Sequence, residues 1–210
     1  MRRPRRLGLF ATVLSTLMFP WGGWGADPGP GSSASGLFGL GKQAIGISVG
    51  HGLAIPIADT ANPELEDVQF ITVAPRWGIG ISNPMGGDAW YRGNFELLGE
   101  GTFLYQVEPK EGFAGGITAM FRYNFLPDGR FIPFVEAGAG ILVLNLDLAG
   151  REDGLNFSPQ AGVGFHYFVS EQTSFTGEWR ILHISNADIE QPNRSLNSSL
   201  FLIGVTTFLK

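Results

Sequence analysis

The chain has no cysteine among its 210 residues. No disulfide can brace it, so an exported form must draw its stability from packing and hydrogen bonding. Charge is sparse, 16 % of residues, and the formal net charge is −5; the basic patches that general nucleic-acid binding requires are therefore missing. There are three histidines, and no His/carboxylate cluster has ligand spacing, so neither metal nor cofactor is expected. No phosphate-cradling glycine loop occurs, since pairs such as Gly138 and Gly140 fall inside strand patterns. Beyond residue 25 no apolar run reaches the roughly 20 residues of a spanning helix. If this chain enters a membrane, it does so as strands.

What is present begins with an export signature. Arg2, Arg3, Arg5 and Arg6 form a basic start, Leu7 to Pro20 an apolar stretch, and Gly23-Trp24-Gly25 a small-residue cleavage pattern. Residues 1–25 therefore read as a signal peptide. Removing its four arginines leaves a mature charge of about −9 by simple counting. Residues 26–42, rich in Gly, Ser and Pro, read as a flexible leader, and 43–210 as one domain.

That domain breaks into eight segments with a two-residue period, the pattern of transmembrane strands in an all-β, eight-stranded antiparallel barrel. They are expected near 43–54, 68–82, 94–108, 112–125, 131–147, 156–168, through 179–187, and 199–209. In the third, Phe95, Leu97, Phe103, Tyr105 and Val107 alternate with Glu96, Glu100, Thr102 and Gln106. Asp128-Gly129 supplies a hairpin turn. The inward rows are rich in small residues and carry Arg76, Arg122 and Arg180 with Glu96, Glu100, Glu136 and Glu178. Charges of both signs can pair inside a lumen too narrow to be a pore. Trp90, Tyr91, Tyr105, Tyr123, Phe125 and Tyr167 fit interfacial girdles.

One strand pattern carries candidate chemistry. Alternation puts Trp179, Ile181, His183 and Ser185 on one face and Glu178 and Arg180 on the other. In a membrane barrel the apolar face looks at lipid, so a base and a nucleophile would stand on the outer wall. Two residues apart on one face, the imidazole can lean toward the hydroxyl and activate it for acyl transfer. Spacing alone favours an interfacial His and Ser that merely face headgroups. His51 and His166 are weaker candidates.

His183-Ile184-Ser185-Asn186-Ala187, followed by Gln191-Pro192-Asn193 and Ser199-Leu200-Phe201, resembles the lipid A 3-O-deacylase (PagL) family of outer-membrane enzymes. Pro133 to Gly138 and Gln160 to Gly164 are similar as well. The resemblance implies a serine esterase in the outer membrane of a Gram-negative cell, acting without cofactor on the 3-O-linked acyl chain of lipopolysaccharide. It assigns Ser185 as nucleophile, His183 as base and Asn186 to the oxyanion. Where the family has a glutamate, this chain has Asn197, with Glu190 and Asp188 as alternative orienting acids. That departure keeps a second reading open, a catalytically inactive structural or adhesive barrel. A phospholipase would share the chemistry. Monomer and homodimer both remain open.

Overall fold

The computed structural model describes residues 34–55, 67–146, 153–189 and 195–210. The expected signal peptide and the first part of the leader lie outside them, as does Glu190. A short 3₁₀ turn, Ala34–Leu37, precedes strands β1 (Gln43–Ala54), β2 (Gln69–Gly80), β3 (Gly93–Glu108), β4 (Gly112–Phe125) and β5 (Phe131–Asn145). Then come β6 (Gly154–Phe157), β7 (Gln160–Phe168), β8 (Thr173–Ile184) and β9 (Leu196–Leu209). Every pairing is antiparallel between neighbours, β1 pairs with β9, and the ring closes.

The sixth expected strand is interrupted, which the sequence pattern did not separate. Ser158-Pro159 divides it into β6 and β7, because proline has no N–H to give the ladder. The two halves keep one register: Ile141 faces Phe157 as Gly138 faces Gln160 on β5, and Leu182 faces Gln160 on β8 as Ser185 faces Phe157. The cylinder therefore has eight strands. Closure leaves no unpaired edge, which is what a strand protein needs in hydrocarbon.

The side chains sort as the alternation requires. Ile45, Ile47, Val49, Phe121, Val163 and Ile203 are exposed on the outside, where lipid would cover them. Inside, the charges meet in one layer. Arg180 bonds Glu100 at 2.8 Å, Glu136 at 2.7 Å and Glu178 at 2.7 Å; Arg76 reaches Glu100 at 2.9 Å and also Glu178, and Arg122 reaches Glu136 at 2.8 Å. Seven ionised groups are tolerable there because each carboxylate has a guanidinium within bonding distance or close to it. Glycines on the inner row make the room: a Cβ on Gly162 would lie 2.4 Å from the Trp179 carbonyl oxygen and 2.7 Å from Arg180 Cγ.

Above and below this layer the lumen holds an apolar cluster at each end, interspersed with buried polar side chains such as Gln106 and His166. One end holds Phe70, Leu104, Leu142, Leu144, Leu182, Ile184, Leu196 and Leu200. The other holds Phe38, Leu126, Ile132, Phe168 and Phe208. Within the expected leader, Phe38 is buried against the Phe208 ring, 4.9 Å between centroids, and anchors the chain at the barrel end, while Leu40 beyond it is exposed. Aromatic burial there outweighs the turn-forming composition of the segment. Both clusters make the described lumen a packed core.

A hydroxyl pair tests how tightly this core is specified. Thr118 Oγ1 lies 3.0 Å from Thr102 Oγ1 and 3.4 Å from Gln160 Nε2, all buried. Thr118→Val is expected to lower unfolding free energy by about 1–2 kcal/mol, since it leaves buried polar partners unmatched. Urea unfolding in lipid vesicles measures it.

Candidate active site

β8 and β9 are adjacent and antiparallel, and His183 stands directly opposite Asn197 in their register. The eighth strand starts at Leu196, earlier than its expected start at 199, and this brings Asn197 onto the ladder. Behind the pair, Leu182, Ile184 and Leu196 alternate inward and are buried in the apolar end of the lumen. That packing fixes which way the two outward side chains point. His183 Nδ1 lies 2.7 Å from Asn197 Oδ1. A carbonyl oxygen only accepts, so Nδ1 carries the proton and Nε2 is left with the lone pair. Asn197 is 8 % exposed and its backbone carbonyl oxygen accepts from Ile55 N–H at 2.9 Å, which ties the pair to the end of β1.

The proline break has a use here. Pro159 cannot donate, but its carbonyl accepts from His183 N–H at 2.9 Å. Next to it, Phe157 and Ser185 exchange backbone hydrogen bonds of 2.7 and 3.1 Å. Both candidate residues are therefore held by main chain on the β6–β7 side and, for His183, by ladder pairing to β9. Ser185 is half-buried on the same face as His183. Among the described residues no hydrogen bond joins Ser185 Oγ to the ring; catalytic hydrogen bonds often form only once substrate is bound.

Past Ser185 the chain makes a strained turn. Ala187 has φ 53° and Asp188 φ 60°, and Ile189 N–H donates to the Asn186 carbonyl at 3.2 Å. Two positive φ values in the middle make this a type I′ turn, in which alanine is disfavoured by roughly 1 kcal/mol or more. Asn186 is buried, and its Oδ1 accepts from Asp188 N–H at 3.0 Å. The amide of Asn186 is thus built into the turn, with Nδ2 as its donor end.

Two features of the site were not legible as motifs. Trp179 Nε1 donates to Ser199 Oγ at 2.8 Å across the outer wall, satisfying an indole that would otherwise face lipid. A row of cross-strand partners, Gly101, Ile117, Ile141, Phe157 and Ser185, crosses the outer wall from the middle of β3 to the end of β8. Small residues beside it, Gly99, Ala119 and Ala139, open a groove of about 650 Å³ that ends at Phe157. Only the register reveals it.

A family model for lipid A 3-O-deacylase (PagL) matches residues 70–206. The chain belongs to the PagL family. The match takes in both the His183–Asn197 pair and Ser185. Among solved structures, the outer-membrane enzyme PagL is 18 % identical, covering 77 % of this chain and 97 % of that one with a TM-score of 0.51. Neisserial surface protein A is 15 % identical, with coverage of 79 % and 96 % and a TM-score of 0.53. At such identities the structures share the barrel fold, and PagL membership comes from the sequence match. No curated protein matches the chain in sequence. Family and fold together make it a Gram-negative outer-membrane protein.

Proposed function

We propose that this barrel is a serine esterase of the outer leaflet that hydrolyses the 3-O-linked acyl chain of lipid A. The observation that carries the reading is the 2.7 Å contact of His183 Nδ1 with Asn197 Oδ1, on the lipid-facing wall and beside Ser185. Nε2 takes the Ser185 proton as the hydroxyl oxygen attacks the ester carbonyl. The same proton then goes to the departing sugar oxygen, and water repeats the steps on the acyl-enzyme. Asn186 is assigned to the oxyanion, with Nδ2 as donor. The scissile acyl chain lies along the groove that ends at Phe157, and Trp179 and Ile181 line the wall on the other side.

Orientation supports this placement. The site lies at the end of the barrel reached by β1, β3, β5 and β8, away from Ala34 and Lys210. The connections at that end, 55–68, 109–111, 146–153 and 185–195, are longer on average than 81–92, 126–130 and 169–172 at the other. Longer loops face the exterior in barrels of this class, which is where lipid A resides.

Purified barrel incubated with lipid A is expected to release one hydroxyacyl chain, seen by mass spectrometry as the loss of that chain's mass. Intact lipid A after prolonged incubation would refute the esterase. Asn197 in the place of the family glutamate favours one rival, a barrel that has kept the fold and lost the reaction.

A further inference from the structure

The outer wall carries a second groove. The cross-strand row Val163, Trp179, Phe201 and His51 runs from β7 over β8 and β9 to β1, and one row further from the site stands Gly177, where the wall has no side chain. With Ile203 these residues border a groove of about 1280 Å³. The groove of about 650 Å³ that ends at Phe157 extends toward β5, β4 and β3. This one crosses β8 itself and reaches β9 and β1. Trp179 and Ile181, on the outward face of the strand that leads to Ser185, make it continuous with the site.

His51 is the polar side chain at the β1 end of the groove. Ile55, four residues on, is bonded to Asn197, so His51 stands on the same wall four residues deeper in the barrel. It is half-buried, and among the described residues it makes no hydrogen bond. An imidazole facing hydrocarbon without a partner is costly. Trp179 meets the same difficulty with Ser199, whereas His51 faces Ile71 and Phe201 on the neighbouring strands. A partner for it must come on a molecule that reaches below the headgroups.

Resting on the esterase reading for what is bound at Ser185, we infer that this groove holds a further acyl chain of the same lipid molecule, and that His51 hydrogen-bonds an oxygen carried on that chain near its carboxyl end. A hydroxyacyl or acyloxyacyl chain has such an oxygen; the plain chains of a glycerophospholipid do not. Neutral imidazole offers one donor and one acceptor, so it can meet a hydroxyl or an ester carbonyl. Gly177 supplies the depth. A Cβ there would lie 2.8 Å from the Phe165 ring, so a side chain at this position fills the space the acyl chain needs. Selection of this lipid class then resides in two residues that stand apart from Ser185 and His183.

Two synthetic lipid A molecules test this, identical in the scissile chain, with their other chains either 3-hydroxyacyl or plain; a phosphatidylethanolamine with plain chains is the third probe. Binding to the Ser185→Ala protein and acyl release by proteins that keep Ser185 are measured in one detergent. The hydroxylated lipid A is expected to bind about fivefold more tightly than the plain one, the effect of one net hydrogen bond. His51→Phe should erase that ratio, and His51→Gln, which keeps a donor and an acceptor, should retain most of it. Gly177→Leu, and Ile203→Trp at an exposed position on the rim, should each weaken both lipid A molecules by about tenfold through lost apolar contact, with heat-dependent gel mobility as the folding control. Equal binding of the two lipid A molecules, a ratio that His51→Phe leaves unchanged, groove fillings without effect, or phosphatidylethanolamine bound as tightly as the hydroxylated lipid A overturns the inference. The expected binding pattern without acyl release from either lipid A would leave the ligand of the groove standing and sink the esterase instead.

Discussion

Ser185→Ala is expected to slow acyl-ester hydrolysis by at least about 10³-fold, roughly 4 kcal/mol or more of transition-state stabilisation, with the barrel still folded. The fold should survive because Ser185 is held through its main chain. The two hydrogen bonds it exchanges with Phe157 are backbone bonds, and its half-buried side chain faces outward, not into the packed lumen. Loss of the hydroxyl removes the nucleophile, and the remaining oxyanion donors and binding wall supply only a small residual rate. His183→Ala should cost about as much, and the double substitution little more than either alone, since nucleophile and base act as one unit. Initial rates of acyl release by mass spectrometry, with heat-dependent gel mobility as the folding control, measure this. Near-normal release from Ser185→Ala would show that the hydroxyl is not the attacking group.

A polar pair on a lipid-facing wall is costly unless it serves a purpose. Trp179 illustrates the ordinary solution, since its indole N–H is met by Ser199 Oγ at 2.8 Å. His183 is met by Asn197 on one nitrogen only. Ser185 stands two residues further along the same outward face. On the proposed esterase reading, the second His183 nitrogen is the one that takes the Ser185 proton.

Much of this was legible in the sequence, for a physical reason. Period-two alternation is a direct imprint of a wall with lipid on one side and a packed lumen on the other. Strand β1 therefore runs over the expected Gln43–Ala54 and β4 over Gly112–Phe125. The balance of Arg76, Arg122 and Arg180 with four glutamates likewise foretold the lumenal ion pairs. What escaped were features set by register. Pro159 is one residue in the chain, yet its carbonyl position opposite His183 N–H depends on a pairing that no local pattern encodes. Phe38 escaped because glycine and serine around it dominate local propensity, while the partner that buries it, Phe208, comes from the far end of the chain. Asn197 was legible as a departure from the family. Its direct opposition to His183 required the observed start of β9.

That opposition makes position 197 the most informative place to change the chemistry without changing the shape. Asn197→Asp is isosteric and puts a carboxylate oxygen where Oδ1 now stands, 2.7 Å from His183 Nδ1. The amide already orients the ring. What it lacks is a negative charge to offset the imidazolium that forms when Nε2 takes the Ser185 proton, and the low-dielectric wall magnifies that deficit. In a serine–histidine–aspartate site the reverse change, carboxylate to amide, costs about 10⁴-fold, partly through the wrong tautomer. Here the tautomer is already correct, so the gain should be smaller, about 10²-fold in kcat with little change in KM. Asn197→Glu restores the family residue, but its extra methylene must fit a position only 8 % exposed, so its gain should trail that of aspartate. Asn197→Leu should fall below the native rate, because the ring loses its acceptor and turns freely. Steady-state kinetics on one lipid substrate rank the four proteins. An aspartate variant no faster than the native chain would mean that charge at this position does not limit the reaction; aspartate and leucine variants both at native rate would remove Asn197 from the site.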